Sequence, residues 1–318
     1  MKKQNLVLTD EPFLLPQFVK EIEALKSFST KTYYTRAIDS EQLIERAKDA
    51  DHILVDSVTQ YHANVLAKIP NLRTILTTSV GVDHIDLSYC AAHDIKVINF
   101  PGFNARSVAE AVFAYILALV RKVPAANAHV RGGGWDTFLF QGIELGDTVL
   151  GVIGSGSIGS EVIKMGQGMG MKVMCHTKNP TSEKAKRIGL TSFHSLDEVV
   201  SSSDYLVVAV PLDASTTNLI SKEVIGKMKK SAIFVSIARG GTIDLFALAE
   251  ALYEQRLSGA ALDQLETDPY NVSLADLRLQ EMANMPNVLV LPHIAFNTHE
   301  ANIRLGERMV SELKKLVT

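Results

Sequence analysis

The sequence lacks a strong charge of either sign, paired cysteines and long apolar runs. Of its 318 residues, 32 are Lys or Arg and 35 are Asp or Glu, which leaves a formal net charge of −3. Without a long basic run, nucleic-acid binding is not expected. Cys90 and Cys175 lie far apart and form no CxxC pair. They predict small buried side chains in a reducing compartment rather than a disulfide framework.

Membrane and targeting signals are equally scarce. The longest unbroken apolar run covers residues 111–120, which is too short for a bilayer that needs about 20 residues. The first residues contain no apolar core of the kind found in signal peptides. We therefore expect a cytoplasmic protein that does not contact membranes.

Short β-rich apolar segments alternate with amphipathic segments along the chain. Five strands are predicted at residues 5–9, 31–35, 52–57, 74–79 and 96–100. Six more are predicted at 148–153, 172–177, 205–210, 232–237, 259–263 and 288–292. At roughly 150 residues per domain, length and alternation predict two α/β domains, each a doubly wound parallel sheet covered by helices.

The segment between the two series predicts one long helix. Ser107-Val-Ala-Glu110 has the Ser-x-x-Glu pattern of a capping box before an apolar run, so we expect a helix to start there and to end before Pro124. The stretch Arg131-Gly-Gly-Gly-Trp135 is expected to form a loop, and a last helix should cover about residues 297–316.

A glycine-rich turn between a predicted strand and a predicted helix is the most informative signal. Residues 154–159 read Gly-Ser-Gly-Ser-Ile-Gly, which is typical of dinucleotide binding. Gly154 permits the tight turn, Gly156 lets the backbone approach a pyrophosphate, and Gly159 lets helix and strand pack closely. We expect the intervening Ser155, Ser157 and Ile158 to belong to the same cofactor site.

The next predicted strand ends in His176-Thr177-Lys178, where an acidic residue commonly binds the ribose 2′-hydroxyl of NAD. Thr177 stands 18 residues after Gly159, and no carboxylate is present there. A carboxylate would repel a 2′-phosphate, whereas a hydroxyl followed by a lysine would accept it. These three residues therefore favour NADP(H); NAD(H) stays the alternative if Lys178 is only a solvated loop charge.

Several further motifs, together with the mid-chain glycine turn, resemble the D-isomer-specific 2-hydroxyacid dehydrogenases. They are Val80-Gly-Val-Asp-His-Ile-Asp86, Pro101-Gly-Phe-Asn-Ala-Arg-Ser-Val-Ala-Glu110, Val210-Pro-Leu212 with Thr216-Thr217, Ala238-Arg-Gly-Gly241, Gly259-Ala-Ala-Leu-Asp263 and Pro292-His-Ile294. The resemblance covers most of the chain. It implies hydride transfer between NAD(P)H and a small 2-ketoacid or D-2-hydroxyacid, as in glyoxylate/hydroxypyruvate reductases or D-lactate dehydrogenases.

The resemblance also implies how the domains are arranged. A flavodoxin-like substrate-binding domain would take residues 1–100 plus 291–318, and a Rossmann dinucleotide-binding domain would take 101–290, with the active-site cleft between them. The family further implies a homodimer. Trp135, the only tryptophan, would then either line the mouth of the cleft or anchor an arm of the dimer.

Three catalytic residues follow from the resemblance. Arg239 would grip the substrate carboxylate with its guanidinium and polarise the keto oxygen, and His293 would serve as the acid/base. The family places a glutamate five residues after the aspartate of its Ala-Leu-Asp motif, and this chain has Asp268 there. An aspartate can still orient the imidazole, although its stem is one methylene shorter; Glu266 is the alternative.

Further positions are expected to bind the substrate or the cofactor. The backbone N–H groups of Val80 and Gly81 would hold the substrate carboxylate opposite Arg239, with a plain strand-to-helix turn as the alternative. Asp263 would contact the nicotinamide carboxamide. The other expected cofactor contacts, besides the glycine turn and the residues that follow the next strand, are Val210, Pro211, Thr216, Ile237, Ala238, Arg239 and His293. No metal ion is expected.

Two other functions remain as alternatives. Formate dehydrogenases share the fold but replace the catalytic acid with glutamine, so Asp268 argues against that activity. A nucleotide-sensing corepressor resembling the C-terminal binding proteins would carry added tails, and the sequence shows none after its last predicted helix. We therefore expect an enzyme.

Overall fold

Two compact units divide the chain in a computed structural model, which describes residues 3–265 and 277–316. The first unit takes the residues up to Asn104 together with those from Asn297 onward, and the second runs from Ala105 to Phe296. The chain therefore leaves the first unit and returns to it, and both crossings lie a few residues later than the expected domain boundaries at 100 and 290.

Each unit contains a parallel β-sheet whose strands alternate with helices. The strands are β1 (Gln4–Leu8), β2 (Phe28–Thr32), β3 (His52–Val55), β4 (Thr74–Thr77), β5 (Lys96–Ile98), β6 (Val149–Ile153), β7 (Lys172–His176), β8 (Tyr205–Val208), β9 (Ile233–Ser236), β10 (Gly259–Leu262) and β11 (Val288–Val290). The helices are α1 (Pro16–Glu23), α2 (Ser40–Ala47), α3 (Ala63–Leu66), α4 (Leu87–Ala92), α5 (Ala105–Val120), α6 (Val123–Arg131), α7 (Ser157–Gly168), α8 (Ser182–Arg187), α9 (Leu196–Ser202), α10 (Lys222–Gly226), α11 (Leu245–Tyr253), α12 (Leu277–Ala283) and α13 (His299–Lys315).

The strand orders confirm two doubly wound α/β units. The first sheet has the order β2-β1-β3-β4-β5, which is the flavodoxin-like order, and the second has the order β11-β10-β9-β8-β6-β7. All pairings in both sheets are parallel. Beyond β7, the backbone N–H of His194 donates to the carbonyl oxygen of Cys175 at 2.9 Å, so this edge of the second sheet is partly covered.

Alternating side chains of the second sheet enter two apolar clusters. On β8, Leu206 and Val208 belong to one cluster while Val207 belongs to the other. Since successive side chains of a strand point to opposite faces, the two clusters cover the two faces of the sheet. Helix α5 contributes to the same cluster as Val207. Strands buried on both faces explain the continuous apolar runs in the sequence.

Strand β2 starts and ends three residues earlier than the sequence predicts. Phe28 is buried and pairs with Gln4, and the register with β1 ends at Thr32 opposite Leu8. The predicted strand at residues 31–35 followed the β-propensity of Tyr33 and Tyr34. Both tyrosines lie beyond the end of β2, so the length of the neighbouring strand overrides local propensity here.

The predicted helix start at Ser107 is wrong. Helix α5 begins at Ala105, and Ser107 is a buried residue within it. Glu110 pairs with Arg106 of the same helix, with Nε and Oε1 2.9 Å apart. A true capping box is present elsewhere, where the side chain of Ser195 accepts from the backbone of Glu198 at the start of α9.

The expected end of the long helix before Pro124 is confirmed, but a second helix follows at once. Lys122 adopts a left-handed backbone with φ of 53°, and α6 then begins with Pro124 in its first turn. Proline fits the first turn of a helix because its missing N–H would have no partner there.

Both cysteines are free and buried, as the sequence predicts. Burial raises the pKa of the Cys90 thiol to about 11 and that of the Cys175 thiol to about 12, so neither is a reactive thiolate near neutral pH. In the part of the chain that the structure describes, no helix is both long and apolar enough to cross a membrane.

Candidate active site

The carboxyl ends of the parallel strands of the second sheet meet at one edge, where α/β proteins commonly bind ligands. The candidate site residues of this unit follow those strand ends. They are Gly154 after β6, Thr177 after β7, Val210 after β8, Arg239 after β9, Asp263 after β10 and His293 after β11. Six strands therefore bring the predicted cofactor and catalytic positions of the second unit to a single edge.

The glycine turn between β6 and α7 fits a pyrophosphate. Gly154 has a φ of 105°, and a Cβ atom there would lie 2.5 Å from the carbonyl oxygen of Ala209. At Gly159 a Cβ atom would collide with the carbonyl oxygen of Gly154. Gly156 is the N-cap residue of α7, has no side-chain cap and has open space where a Cβ would stand. An uncapped helix N-terminus with open space beside it suits an anionic group.

The two other residues at the start of α7 differ in exposure. Ser157 is exposed, whereas Ile158 is half-buried and packs into the cluster shared with α5. Ile158 therefore holds the helix against the sheet, and Ser157 leaves the helix N-terminus open.

Thr177 is surrounded by hydrogen-bond donors. Its Oγ1 accepts from Ser155 Oγ at 2.8 Å and from Lys184 Nζ at 3.3 Å. Because both partners donate, the proton of the Thr177 hydroxyl stays available for a further acceptor. The predicted Lys178 instead donates to Ser215 Oγ at 2.9 Å. Lys184 was missed in the sequence; its place in the first turn of the helix after Thr177 was the available signal.

His176 contacts the glycine turn through its backbone, whereas its ring contacts the segment beyond β7. Its carbonyl oxygen accepts from the N–H of Gly154 at 2.9 Å, and its Nδ1 lies 3.1 Å from the carbonyl oxygen of His194. The backbone of His176 therefore supports the glycine turn directly.

The loop after β8 is closed by Thr216. Its hydroxyl donates to the carbonyl oxygen of Pro211 at 2.6 Å and accepts from the N–H of Asp213 at 2.8 Å. Val210 is half-buried and packs against an apolar cluster of the second sheet. Thr216 therefore shapes the loop, and a cofactor contact from its hydroxyl stays a prediction.

Arg239 follows β9, and both its side chain and its backbone make hydrogen bonds to described residues. Its Nη1 donates to Gln264 Oε1 at 3.0 Å, and its carbonyl oxygen accepts from Thr242 Oγ1 at 2.7 Å. Gln264 is only 5% exposed and was not anticipated, because nothing in the sequence connects it to a residue 25 positions away. Before Arg239, Ala238 is buried and Ile237 is half-buried.

Asp263 anchors the segment that carries His293. The backbone N–H of His293 donates to the carbonyl oxygen of Asp263 at 2.7 Å. The Asp263 carboxylate accepts from the N–H groups of Ile294 and Ala295, both at 3.1 Å, and from the Tyr115 hydroxyl at 2.9 Å. Burial raises the pKa of Asp263, and these hydrogen bonds oppose the rise. Its expected contact with nicotinamide stays a prediction.

His293 is half-buried and adopts a left-handed backbone with φ of 53°. Its ring packs edge-on against Phe296, with the ring centroids 5.2 Å apart. The predicted partner of the imidazole, Asp268, and the alternative Glu266 both lie outside the described residues, so that pairing stays a prediction.

Val80 and Gly81 lie in the first unit, in the loop after β4. The carbonyl oxygen of Val80 accepts from Asn99 Nδ2 at 2.6 Å, and that of Gly81 from Ser79 Oγ at 2.5 Å. Among the described residues, neither backbone N–H donates to another group of the protein. The loop thus presents two free donors, as carboxylate binding requires.

Known proteins resemble the whole chain. A family model for the D-isomer specific 2-hydroxyacid dehydrogenase NAD-binding domain matches residues 113–295. The glyoxylate reductase of Aeropyrum pernix is 31% identical over 318 residues, covering 96% of this chain and 90% of that protein. The D-3-phosphoglycerate dehydrogenase of Methanocaldococcus jannaschii is 34% identical over 311 residues, which cover 98% of this chain.

The chain matches only part of the phosphoglycerate dehydrogenases. The matches cover only 57%, 49% and 49% of three such enzymes, so the chain spans about half the length of these relatives. Among solved structures, the D-lactate dehydrogenase of Aquifex aeolicus, complexed with NAD and lactic acid, has a TM-score of 0.86 at 32% identity, with 98% of this chain and 95% of that chain covered. The chain therefore belongs to the D-isomer-specific 2-hydroxyacid dehydrogenase family.

Proposed function

We propose that this protein transfers a hydride between NAD(P)H and a small 2-ketoacid or D-2-hydroxyacid. The supporting observation is that Arg239 and His293 follow strands of the sheet whose same edge carries the Gly154–Gly159 turn. The second unit would bind the dinucleotide and the first unit the substrate. Relatives named glyoxylate reductase and hydroxypyruvate reductase, and the D-lactate dehydrogenase structure, support substrates of that size.

The proposed chemistry divides between two side chains. Arg239 binds the substrate carboxylate, because a guanidinium matches the two carboxylate oxygens and keeps its charge at all working pH values. In reduction, protonated His293 donates its proton to the carbonyl oxygen as the carbonyl carbon is reduced; in oxidation, neutral His293 takes the proton back. Nicotinamide, when bound, supplies or accepts the hydride. Asp268 would orient the imidazole and favour its protonated form.

Initial rates test this activity. We expect NADPH or NADH oxidation with at least one of glyoxylate, hydroxypyruvate and pyruvate, and a large loss of rate when Arg239→Met removes the guanidinium. The matched control is Arg256→Met, since Arg256 pairs with Glu254 just before the amino end of β10 and not at the carboxyl ends of the strands. Absence of turnover with every small 2-ketoacid and both cofactors would overturn the proposal.

We further propose that NADP(H) is preferred over NAD(H). Support comes from the hydroxyl of Thr177, which keeps a proton to donate, and from the ammonium of Lys184 3.3 Å away. Lys178 adds a second positive charge nearby, although it donates to Ser215, which also donates to the Asp213 carboxylate. The Asp213 carboxylate partly offsets the charge of Lys178, so the Thr177 hydroxyl and the Lys184 ammonium are the groups that best suit a 2′-phosphate.

Exchange of Lys184 separates the cofactor preference from the activity. Lys184→Met should raise the KM for NADPH about tenfold, as expected for loss of a hydrogen bond to a charged group, and leave the KM for NADH within about twofold. Lys186→Met is the control, because Lys186 is exposed on the same helix. A wild-type preference for NADH, or equal effects on both cofactors, would contradict the assignment.

We also propose a homodimer built through the region after α5. Helix α6 buries none of its residues, and Trp135 and Phe138 beyond it are 86% and 94% exposed. Exposed apolar side chains clustered in one segment favour a protein interface.

Light scattering tests the dimer, and the wild type should have a mass of twice 34.7 kDa. The monomer mass is expected for Trp135→Ser/Phe138→Ser but not for the control Tyr253→Ser. A wild-type monomer would contradict the proposal.

A further inference from the structure

The carboxylate of Asp263 is the acceptor on which the His293 segment depends. Asp263 is 3% exposed, and its side chain accepts from two consecutive backbone N–H groups, those of Ile294 and Ala295. Its own carbonyl oxygen accepts the N–H of His293. Three successive N–H groups thus converge on one residue, and any shift of its carboxylate is transmitted to the histidine.

His293 occupies a backbone conformation that needs such support. A φ of 53° lies in the left-handed region, which is unfavourable for residues with a Cβ atom and persists only where surrounding contacts hold it. Among residues with a Cβ atom, asparagine, aspartate and histidine adopt it more often than others, but at an energetic cost that glycine avoids. The direction of the imidazole therefore depends on the hydrogen bonds that fix the following two residues.

Tyr115 completes the environment of this carboxylate from helix α5. Its hydroxyl donates to Asp263 Oδ1 at 2.9 Å across 148 residues of sequence, and the side chain is only 7% exposed. Burial and the adjacent carboxylate raise the pKa of Tyr115 far above its ordinary value, so it donates this hydrogen bond at every working pH. Phenylalanine would fill the same space but leave one acceptor position of Asp263 empty.

We propose that Tyr115 is a positioning residue for the reaction: by fixing the Asp263 carboxylate it holds the 293–295 segment and hence the imidazole of His293. The proposal rests on the proposed acid/base role of His293. It assigns to Tyr115 no contact with the ketoacid, so its effect should fall on the rate of the chemical step and not on ketoacid binding.

The first test compares two tyrosines that are buried in the same unit. Tyr115→Phe should lower kcat for ketoacid reduction about tenfold, the size expected for one lost buried hydrogen bond to a charged group. The KM for the ketoacid should stay within about twofold. Tyr205→Phe is the control, since Tyr205 is 3% exposed on β8 and has no part in the site. Equal effects of the two variants on kcat would overturn the proposal.

A pH profile separates positioning from a merely structural role. The groups that bear on the Asp263 carboxylate are Tyr115 from α5, the N–H groups of Ile294 and Ala295 after β11, and the charge of Arg239 after β9. Loss of the Tyr115 hydroxyl removes one group that lowers the pKa of Asp263. Its carboxylate then protonates at higher pH. The acid limb of the kcat/KM profile should therefore shift to higher pH in Tyr115→Phe but not in Tyr205→Phe. An unmoved limb contradicts the proposal.

A double-mutant cycle tests whether Tyr115 acts through Asp263. Asp263→Ala removes both carboxylate oxygens, including the Oδ1 that accepts from Tyr115, and its effect on kcat should exceed that of Tyr115→Phe. The double variant should be no slower than Asp263→Ala alone, because the hydroxyl then has no acceptor left to position. Additive losses would show that Tyr115 acts independently of Asp263 and would overturn the proposal.

The environment of the His293 ring can be measured without catalysis, which tests the role of Tyr115 separately from the proposed activity. The ring signals of His293 in an NMR spectrum, assigned by their loss in His293→Asn, should shift in Tyr115→Phe and stay unchanged in Tyr205→Phe. A shift in a protein that reduces no ketoacid would refute the proposed function but support the positioning by Tyr115. Unshifted signals in an active enzyme would refute the positioning alone.

Discussion

Two strand ends of the second sheet use a left-handed backbone, and they obtain it in different ways. After β6 the residue with positive φ is Gly154, at 105°, and after β11 it is His293, at 53°. Glycine adopts such a conformation without steric penalty. Histidine adopts it at an energetic cost, and the contacts that offset this cost come from Asp263 and, through it, from Tyr115.

The difference reflects what each strand end presents. The turn at β6 works by leaving space, since a Cβ at Gly156 would stand in the open region beside the helix N-terminus. The turn at β11 must place a bulky, functional side chain, so glycine is not available and the surrounding hydrogen bonds supply the constraint instead. One end depends on missing side chains, and the other depends on an additional buried carboxylate.

Exchange of His293 for asparagine should have the largest effect. It tests the proposed acid/base role of the side chain while keeping a residue that tolerates the same backbone conformation. Asparagine readily adopts positive φ, so His293→Asn should keep the wild-type melting temperature. It removes the proposed acid/base group, and kcat should fall about 10²- to 10⁴-fold, the usual contribution of general acid–base catalysis. Steady-state rates and thermal melts measure both. A rate within tenfold of wild type would show that His293 is not the acid/base.

Two single-methyl additions at the β6 end should behave oppositely. Gly159→Ala forces a Cβ against the carbonyl oxygen of Gly154, so we expect the free energy of unfolding to fall by about 1–3 kcal/mol, as overpacking does. Gly156→Ala meets no atom and should fold normally but bind NADPH more weakly. Urea unfolding and fluorescence titration with NADPH distinguish them. A destabilised Gly156→Ala would contradict the assignment of that space to the cofactor.

The β6 end could be predicted from the sequence because each of its requirements is local. The three glycines stand within six residues, between an apolar strand and an amphipathic helix. Their physical roles follow from spacing alone. Arg239 and His293 were found differently, from motifs that resemble a family, and the sequence offers no local reason for the left-handed backbone at His293.

The supporting residues of the β11 end could not be predicted, because their contacts are long-range. Tyr115 resembles any other aromatic residue on an apolar helix face until the fold places its hydroxyl against Asp263. Gln264 and Lys184 are similar cases: each depends on a strand end that only the sheet order brings near. The error at Ser107 has the opposite cause, since a locally correct capping pattern lay inside a helix that had already started at Ala105.

Loss of the Gln264 acceptor should have a smaller effect than the exchanges above. Gln264→Met keeps the side-chain length but removes the oxygen that accepts from Arg239 Nη1. The guanidinium is then less well oriented, and the KM for the ketoacid should rise about fivefold to tenfold, in line with about 1–1.5 kcal/mol for one hydrogen bond. The KM for NADPH should not change. An equal rise for both ligands would mean that the exchange disturbs the whole strand edge.

Two aspartates of the second sheet should titrate with opposite effects on stability, and this is the smallest effect expected. At Asp204, burial raises the pKa, but the hydrogen bonds from the Val149 N–H and Lys229 outweigh it, and the pKa lies below its ordinary value. At Asp263, burial prevails and the pKa lies above it. Ionised Asp204 therefore adds stability that is lost as pH falls through its folded-state pKa, while ionised Asp263 reduces stability, which is regained as pH falls.

Asp204→Asn isolates the first of these contributions. The amide oxygen can still accept from Val149, so the exchange removes mainly the pairing with Lys229, whose Nζ is 2.9 Å away. We expect a loss of about 0.5–1 kcal/mol at neutral pH, the scale of a partly exposed ion pair. Urea unfolding at a series of pH values measures this difference in the free energy of unfolding. The difference from the wild type should disappear as acid protonates Asp204. A gap that stays constant would mean that the charge contributes nothing, leaving Asp263 as the only one of the two carboxylates whose ionisation affects the fold.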